Sequence, residues 1–291
     1  MTSVTRTSIV HKLALLDMLL IRFHDSGDWH SYHQAKAECK AMSERRWALG
    51  FKYTKNIKWL ARLREEGLLP ENFRVVQSVG GWQDHLIDEN FPHAKVFSTH
   101  EERIAAGYED GTETDIPAIE GVIKIGLVYH GTEKITELDQ PNLQQRGGIK
   151  ALSPGVWKVT VPLGIKNRKN VEFEFNFSGI ADCYLAAEVS LKTGNRKVVK
   201  TAKELGERHG RRYHPAAISI PALASCPQAK DCTGFCYAMQ GFFIMTTHAK
   251  KRALLWALHH EARRRGILEQ VIGQQLDAAV PHRMRKQWGL V

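Results

Sequence analysis

Short apolar runs alternate with polar, helix-spaced stretches along residues 1–131. Leu19-Leu-Ile-Arg-Phe-His reads as a strand, and the run from Tyr32 to Arg46 as the helix that follows it. Trp47-Ala-Leu-Gly-Phe-Lys-Tyr is a second strand, followed by a helix from Ile57 to Glu66. Phe73-Arg-Val-Val-Gln-Ser, Ala94-Lys-Val-Phe-Ser-Thr and Val122-Ile-Lys-Ile-Gly-Leu-Val supply three more strands. Strands that alternate with helices imply βαβ units and a parallel sheet. Repeated right-handed crossovers curl such a sheet into a barrel or part of one.

The grammar changes after residue 131. Gly and Asn loops punctuate alternating segments such as Trp157-Lys-Val-Thr-Val and Val171-Glu-Phe-Glu-Phe-Asn-Phe. This is hairpin patterning, so residues 132–215 read as a small β-rich connecting module, with a basic stretch from Lys197 to His214 that starts as helix. Residues 216–291 return to the strand–helix pattern. An apolar run, Ala217-Ile-Ser-Ile-Pro-Ala-Leu-Ala, leads into a polar loop, and Leu254, Leu255, Leu258 and Ala262 then recur at helical spacing. The expected architecture is an α/β partial barrel of parallel strands contributed by residues 1–131 and 216–291, joined by the module at 132–215.

Each strand of the first segment ends in a polar cluster: His24-Asp-Ser-Gly-Asp28, Tyr53-Thr-Lys-Asn56, Ser78-Val-Gly-Gly81 and Ser98-Thr-His100. Parallel α/β folds bind ligands beyond the carboxyl ends of their strands, so these clusters mark the expected site.

With 43% hydrophobic and 25% charged residues, the 291-residue chain has the make-up of a globular protein with a full core. No run of about 18 apolar residues is present, so no membrane span is expected. Leu13 to Ile21 carries Asp17 and no small-residue cleavage pattern, and reads as buried structure instead of a signal peptide. The formal net charge is +10. From His248 to Lys286, nine lysines and arginines face three acids. That stretch is either a patch for nucleic acid or another polyanion, or a solvated helix face.

Three of the five cysteines cluster as Cys226-Pro-Gln-Ala-Lys-Asp-Cys232-Thr-Gly-Phe-Cys236. So few cysteines argue against a disulfide framework and for a reducing compartment. Three thiolates in one loop suit three corners of a [4Fe–4S] cluster and leave the fourth iron open for chemistry. Zinc is the alternative, with His209, His214 or His248 completing the set, although zinc pairs are usually spaced more tightly. Three buried structural thiols are the plain alternative to either metal. Cys39 and Cys183 read as buried thiols.

The cysteine loop, Cys226-Pro227…Cys232…Cys236-Tyr237-Ala238, occurs with Arg22-Phe-His24-Asp-Ser26-Gly27-Asp28, Tyr53-Thr54-Lys55 and Ser78-Val-Gly80-Gly81. In this combination the chain resembles the gene product 88 family of phage proteins and, more distantly, the radical S-adenosylmethionine (SAM) superfamily. In that family the cysteine loop precedes the Ser-Gly-Asp strand, whereas here it follows it. The resemblance therefore implies a circular permutation, with residues 216–291 supplying the first strand and helix.

The resemblance also implies roles. Cys226, Cys232 and Cys236 hold the cluster. Phe235 contacts the SAM adenine. Ser26, Gly27 and Asp28 take the place of the strand end that holds the SAM amino group, where an acid makes charge sense. Lys55 and Ser78 are positions for the SAM carboxylate and ribose. Without the resemblance, Asp28 would read equally as the N-cap of the next helix, and His24 as a structural histidine or one that orients Asp28.

The implied activity is a radical enzyme that forms a 5′-deoxyadenosyl radical and takes hydrogen from a substrate. It needs an electron donor, works in the cytoplasm of a bacterial host, and has nucleic acid or a nucleotide as its first candidate substrate. A metal-stabilised nucleic-acid-binding protein without catalysis and a zinc-dependent nucleic-acid enzyme are the competing readings.

Overall fold

A computed structural model describes residues 17–129, 147–164, 169–189, 196–231, 236 and 245–285. The strands are β1 (Met18–Phe23), β2 (Ala48–Thr54), β3 (Phe73–Ser78), β4 (His93–Phe97), β5 (Glu109–Asp110), β6 (Lys124–Val128), β7 (Gly148–Ser153), β8 (Val156–Leu163), β9 (Lys169–Asn176) and β10 (Tyr213–Ile218). The helices are α1 (Tyr32–Ser43), α2 (Ile57–Glu65), α3 (His100–Ala105), α4 (Ile116–Glu120), α5 (Ile180–Val189), α6 (Arg196–His209), α7 (Thr246–Arg264), α8 (Leu268–Ala279) and α9 (His282–Arg285).

Seven strands form a parallel half-barrel in the order β10-β1-β2-β3-β4-β6-β5, and β7, β8 and β9 form a separate antiparallel sheet. Strand β10 runs parallel to β1 in unbroken register from Met18↔Tyr213 to Phe23↔Ile218. The apolar run before the cysteines was expected to be the strand. Instead the strand lies earlier, at Tyr213–Ile218, and Ser219 to Ala224 already belong to the loop. The connecting module is also less purely β than its pattern suggests, since it holds α5 and α6 beside its three strands.

Alternation along the strands sorts the two faces. Leu19, Ile21, Phe23, Phe73 and Val75 share one buried cluster with α1, α2, α7 and α8. Leu20, Phe51, Val76, Ala94 and Ile125 share the other with α4 and α6. Helices α1, α2, α7 and α8 thus cover one face of the sheet, and α4 and α6 the other. Each fully buried Leu, Ile or Phe contributes about 1.5–3 kcal/mol, so β1 alone ties both layers together. Helix α1 is capped by Ser31, whose hydroxyl accepts from the Gln34 N–H at 3.2 Å. Asp28 is therefore not the cap.

The antiparallel sheet packs on α7 and α8 through Trp157, Val159, Val161 and Phe177. Trp157 donates its indole N–H to Glu261 of α7 at 2.8 Å. Arg264 and Arg265 converge on the same carboxylate, and Arg252 is buried. These arginines of the basic stretch belong to the packing, and the stretch is not one uniform solvated face.

Candidate functional site at the strand ends

Beyond Ile218 the chain bends across the end of β1. Asp25 donates its N–H to Ile218 O at 3.1 Å, and Ile220 donates to Ser26 O at 3.1 Å. Ser26 returns a hydroxyl bond to Ile220 O at 2.7 Å. The loop then turns on itself, with the Ser225 hydroxyl on Pro221 O at 2.6 Å and the Cys226 N–H on Leu223 O at 3.2 Å. Next it runs antiparallel to the segment after β3. Trp82 donates to Gln228 O at 2.9 Å, Lys230 donates to Gly80 O at 3.1 Å, and Gly81 bridges Ala229. Asp84 holds the other side of that segment by accepting from the Gly80 and Gly81 amides.

Two motif glycines make room for this loop. Gly27 has φ +83°, and a Cβ there would stand 2.5 Å from both Ile220 Cγ1 and Ser225 Oγ. A Cβ on Gly81 would stand 2.8 Å from Gln228 O and 3.1 Å from Lys55 Cβ. The Ser-Gly and Gly-Gly pairs of the sequence are thus the seat of the cysteine loop.

Cys226 and Cys236 are half-buried. Cys232, Phe235, Tyr237 and Ala238 lie outside the described residues. Among the described residues no group of three or more His, Cys, Asp or Glu is placed to hold a metal ion. His209 pairs with the Tyr213 hydroxyl and His214 with Asp17, both at the amino end of β10, opposite the cysteine loop. Neither is placed to complete a zinc set with these cysteines. Cys39 and Cys183 are buried thiols, and burial pushes Cys39 up to about 12.

Asp28 ties the end of β1 to the end of β2. Its Oδ1 accepts from the Trp29 N–H at 2.7 Å and the Thr54 hydroxyl at 2.8 Å, and its Oδ2 accepts from the Lys55 N–H at 2.8 Å. These bonds leave one lone-pair position on Oδ2. Lys55 reaches along the mouth and donates to the Ser78 hydroxyl at 2.8 Å. Ser26, Gly27, Asp28, Lys55 and Ser78 are therefore brought together at one end of the half-barrel, beside the loop that carries Cys226.

A buried ionic group lies beneath Asp28, and sequence reasoning missed it. Lys52, fully buried on the face of β2 that α1 covers, places Nζ 3.6 Å from Asp28 Oδ1 and 3.8 Å from Glu38 Oε2. His24 Nδ1 lies 3.1 Å from the same ammonium, and its Nε2 lies 2.9 Å from Glu38 Oε1. Burial pushes both Lys52 and His24 down from their ordinary values. Burial works to raise Glu38, but the His24 and Lys52 neighbours outweigh it and hold the carboxyl at about 2.

On the opposite face, Asp115 is fully buried and meets Arg22 at 3.3 Å, Lys197 at 2.9 Å and the Tyr53 hydroxyl at 3.0 Å. Thr201 of α6 accepts the Asp115 N–H at 2.8 Å, so this group locks α6 to the sheet. The available signal was periodicity: Arg22 and Lys52 are cations inside strands whose neighbours are apolar on both faces.

The family described as gene product 88 matches residues 6–154 and 189–290. The stretch between holds β8, β9 and nearly all of α5. No curated protein and no solved structure matches the chain.

Proposed function

We propose that this chain, which belongs to the gene product 88 family, is an iron–sulfur enzyme of the radical SAM type. Cys226, Cys232 and Cys236 would hold a [4Fe–4S] cluster at the carboxyl mouth of the half-barrel. One observation carries the reading. The loop with Cys226 is stitched by backbone hydrogen bonds to the ends of β1 and β3, over glycines that admit no side chain. A loop whose described part is fixed in this way holds Cys226 beside the strand ends, as a pre-formed cofactor site requires.

When bound, the cluster and SAM would supply one-electron cleavage of the sulfonium and hydrogen abstraction from a substrate. The chain's residues would bind and orient. The open lone pair of Asp28 Oδ2 faces the task of taking the ligand's ammonium, and Lys55 with Ser78 the carboxylate and ribose. Phe235 would contact the adenine through its backbone carbonyl.

The adjacency of β10 and β1, from opposite ends of the chain, supports a circularly permuted order. The net charge of +10 supports a polyanionic substrate, nucleic acid or a nucleotide. Among the described residues no helix is long and apolar enough to cross a membrane. We place the enzyme in the cytoplasm of a bacterial host, where a reductant would serve as electron donor.

Anaerobic purification tests this. A brown protein that cleaves SAM under reduction supports the enzyme. A colourless protein containing zinc, or one that binds nucleic acid without SAM, supports a metal-stabilised binding module or a zinc enzyme instead.

A further inference from the structure

Asp28 rests on a buried pedestal. Behind it stands Lys52, fully buried, with Nζ 3.6 Å from Asp28 Oδ1 and 3.9 Å from the centre of the Trp29 ring. Glu38, from α1, accepts the Trp29 indole N–H at 2.7 Å and lies 3.8 Å from the same ammonium. His24 fills the gap between Lys52 and Glu38, and it does so from a left-handed backbone conformation, φ +56°. An L-residue other than glycine is strained there, and such strain collects where a surrounding structure fixes a functional geometry. The network continues inward through Gln34, whose amide lies 3.0 Å from His24 Nε2 and 3.3 Å from His259 Nδ1 on α7.

An apolar residue at position 52 would cost less to bury than an ammonium with two carboxylates. The retained charge is aimed at one residue of the mouth and at its neighbour Trp29. We infer that Lys52, counterbalanced by Glu38, is a positioning residue that holds Asp28 and the 24–29 loop in the geometry the ligand meets. The inference rests on the proposed site for its purpose, but its physical content is local. The Trp29 and Lys55 amides that donate to Asp28 should be ordered by Lys52 whether or not any cofactor is present.

The groups facing Lys52 are Asp28 and His24 from the β1 end, Glu38 and Cys39 from α1, with His259 of α7 behind Gln34. Changing Lys52 alone would bury two uncompensated acids and risk unfolding. The informative variant is Lys52→Met/Glu38→Gln, which removes one charge of each sign.

Hydrogen exchange at the Trp29 and Lys55 amides, in wild type and double variant without cofactor, reads the effect directly. Global unfolding is measured in parallel. The expected result is a folded variant in which these two amides exchange about tenfold faster or more, while the β3 ladder is unchanged. Reconstituted variant should then bind SAM about tenfold more weakly at equal iron content. Unchanged exchange at both amides overturns the inference. Faster exchange together with wild type that binds no SAM upholds the positioning role and removes the proposed function instead. A double variant that does not fold is replaced by Lys52→Gln/Glu38→Gln, which also removes one charge of each sign, with the same two amides read and the same criteria applied.

Discussion

The hydroxyl of Ser26 donates to the backbone carbonyl of Ile220 at 2.7 Å, joining positions 194 residues apart. With the Ile220 amide on Ser26 O, it forms a two-bond clasp between the first strand's end and the cysteine loop. This clasp, repeated at Gly80–Lys230 and Trp82–Gln228, is how a short thiol-bearing segment acquires a fixed place on the sheet.

Replacing Gly27 with alanine should break the clasp. The backbone there has φ +83° and the new methyl would overlap Ile220 and Ser225. We expect a loss of roughly 1–3 kcal/mol, measured by urea denaturation. Gly67→Ala is the control: its φ is +65° but nothing lies within 4 Å of the added atom. It should cost no more than about 1 kcal/mol and leave metal content unaltered.

Asp28→Ala would strand the Trp29 and Lys55 amides and the Thr54 hydroxyl, and would leave the buried Lys52 ammonium with Glu38 as its remaining carboxylate. A loss of about 3–5 kcal/mol follows from removing one partner of a buried ionic group. Asp28→Asn keeps one acceptor oxygen and should lose less. Denaturant midpoints of the two variants check the order. Equal losses would mean that the remaining acceptor rescues none of the clamp, and no loss in either variant would mean that the clamp does not depend on Asp28.

Stability should fall in mild acid. Burial holds His259 and His260 at about 4, and His30 well below its ordinary 6.5. These rings stay neutral in the folded chain while the unfolded chain takes up protons below about pH 6.5. The histidine contribution is therefore complete above that pH and is lost as pH falls, for His259 and His260 between about 6.5 and 4 and by up to roughly 3 kcal/mol each. Glu38, held at about 2, adds a second loss from about pH 4.5 downward. Urea midpoints across this range test the sign. His260→Leu should flatten the first step, and a midpoint that rises on acidification would contradict it.

Much of the half-barrel was legible because strand and helix periods differ. The strands ending at Phe23, Thr54, Ser78 and Val128 and the helices from Tyr32 and Ile57 stand close to where alternation and spacing put them. The short elements Glu109–Asp110 and Ile116–Glu120 left no periodic trace, being two and five residues long. The last strand was read too late, because Ile218 to Ala222 is apolar for another reason: Ile220 packs against Gly27 under the loop. Seat and loop could be paired in the sequence only by resemblance, since no local pattern links Ser26 to Ile220. Lys52 left a trace as a cation inside an apolar strand, but its partners did not: His24 and Asp28 come from the loop after β1 and Glu38 from α1, and only packing brings them to β2.

The central claim is that Cys226, Cys232 and Cys236 jointly hold a redox cluster. It is tested most directly by iron analysis and electron paramagnetic resonance of anaerobically reconstituted wild type beside a Cys232→Ala variant. We expect about four irons per wild-type chain, a reduced-cluster signal that changes when SAM is added, and loss of both in the variant. A wild type that takes up no iron, or a variant that keeps the same iron and the same signal, would contradict the account.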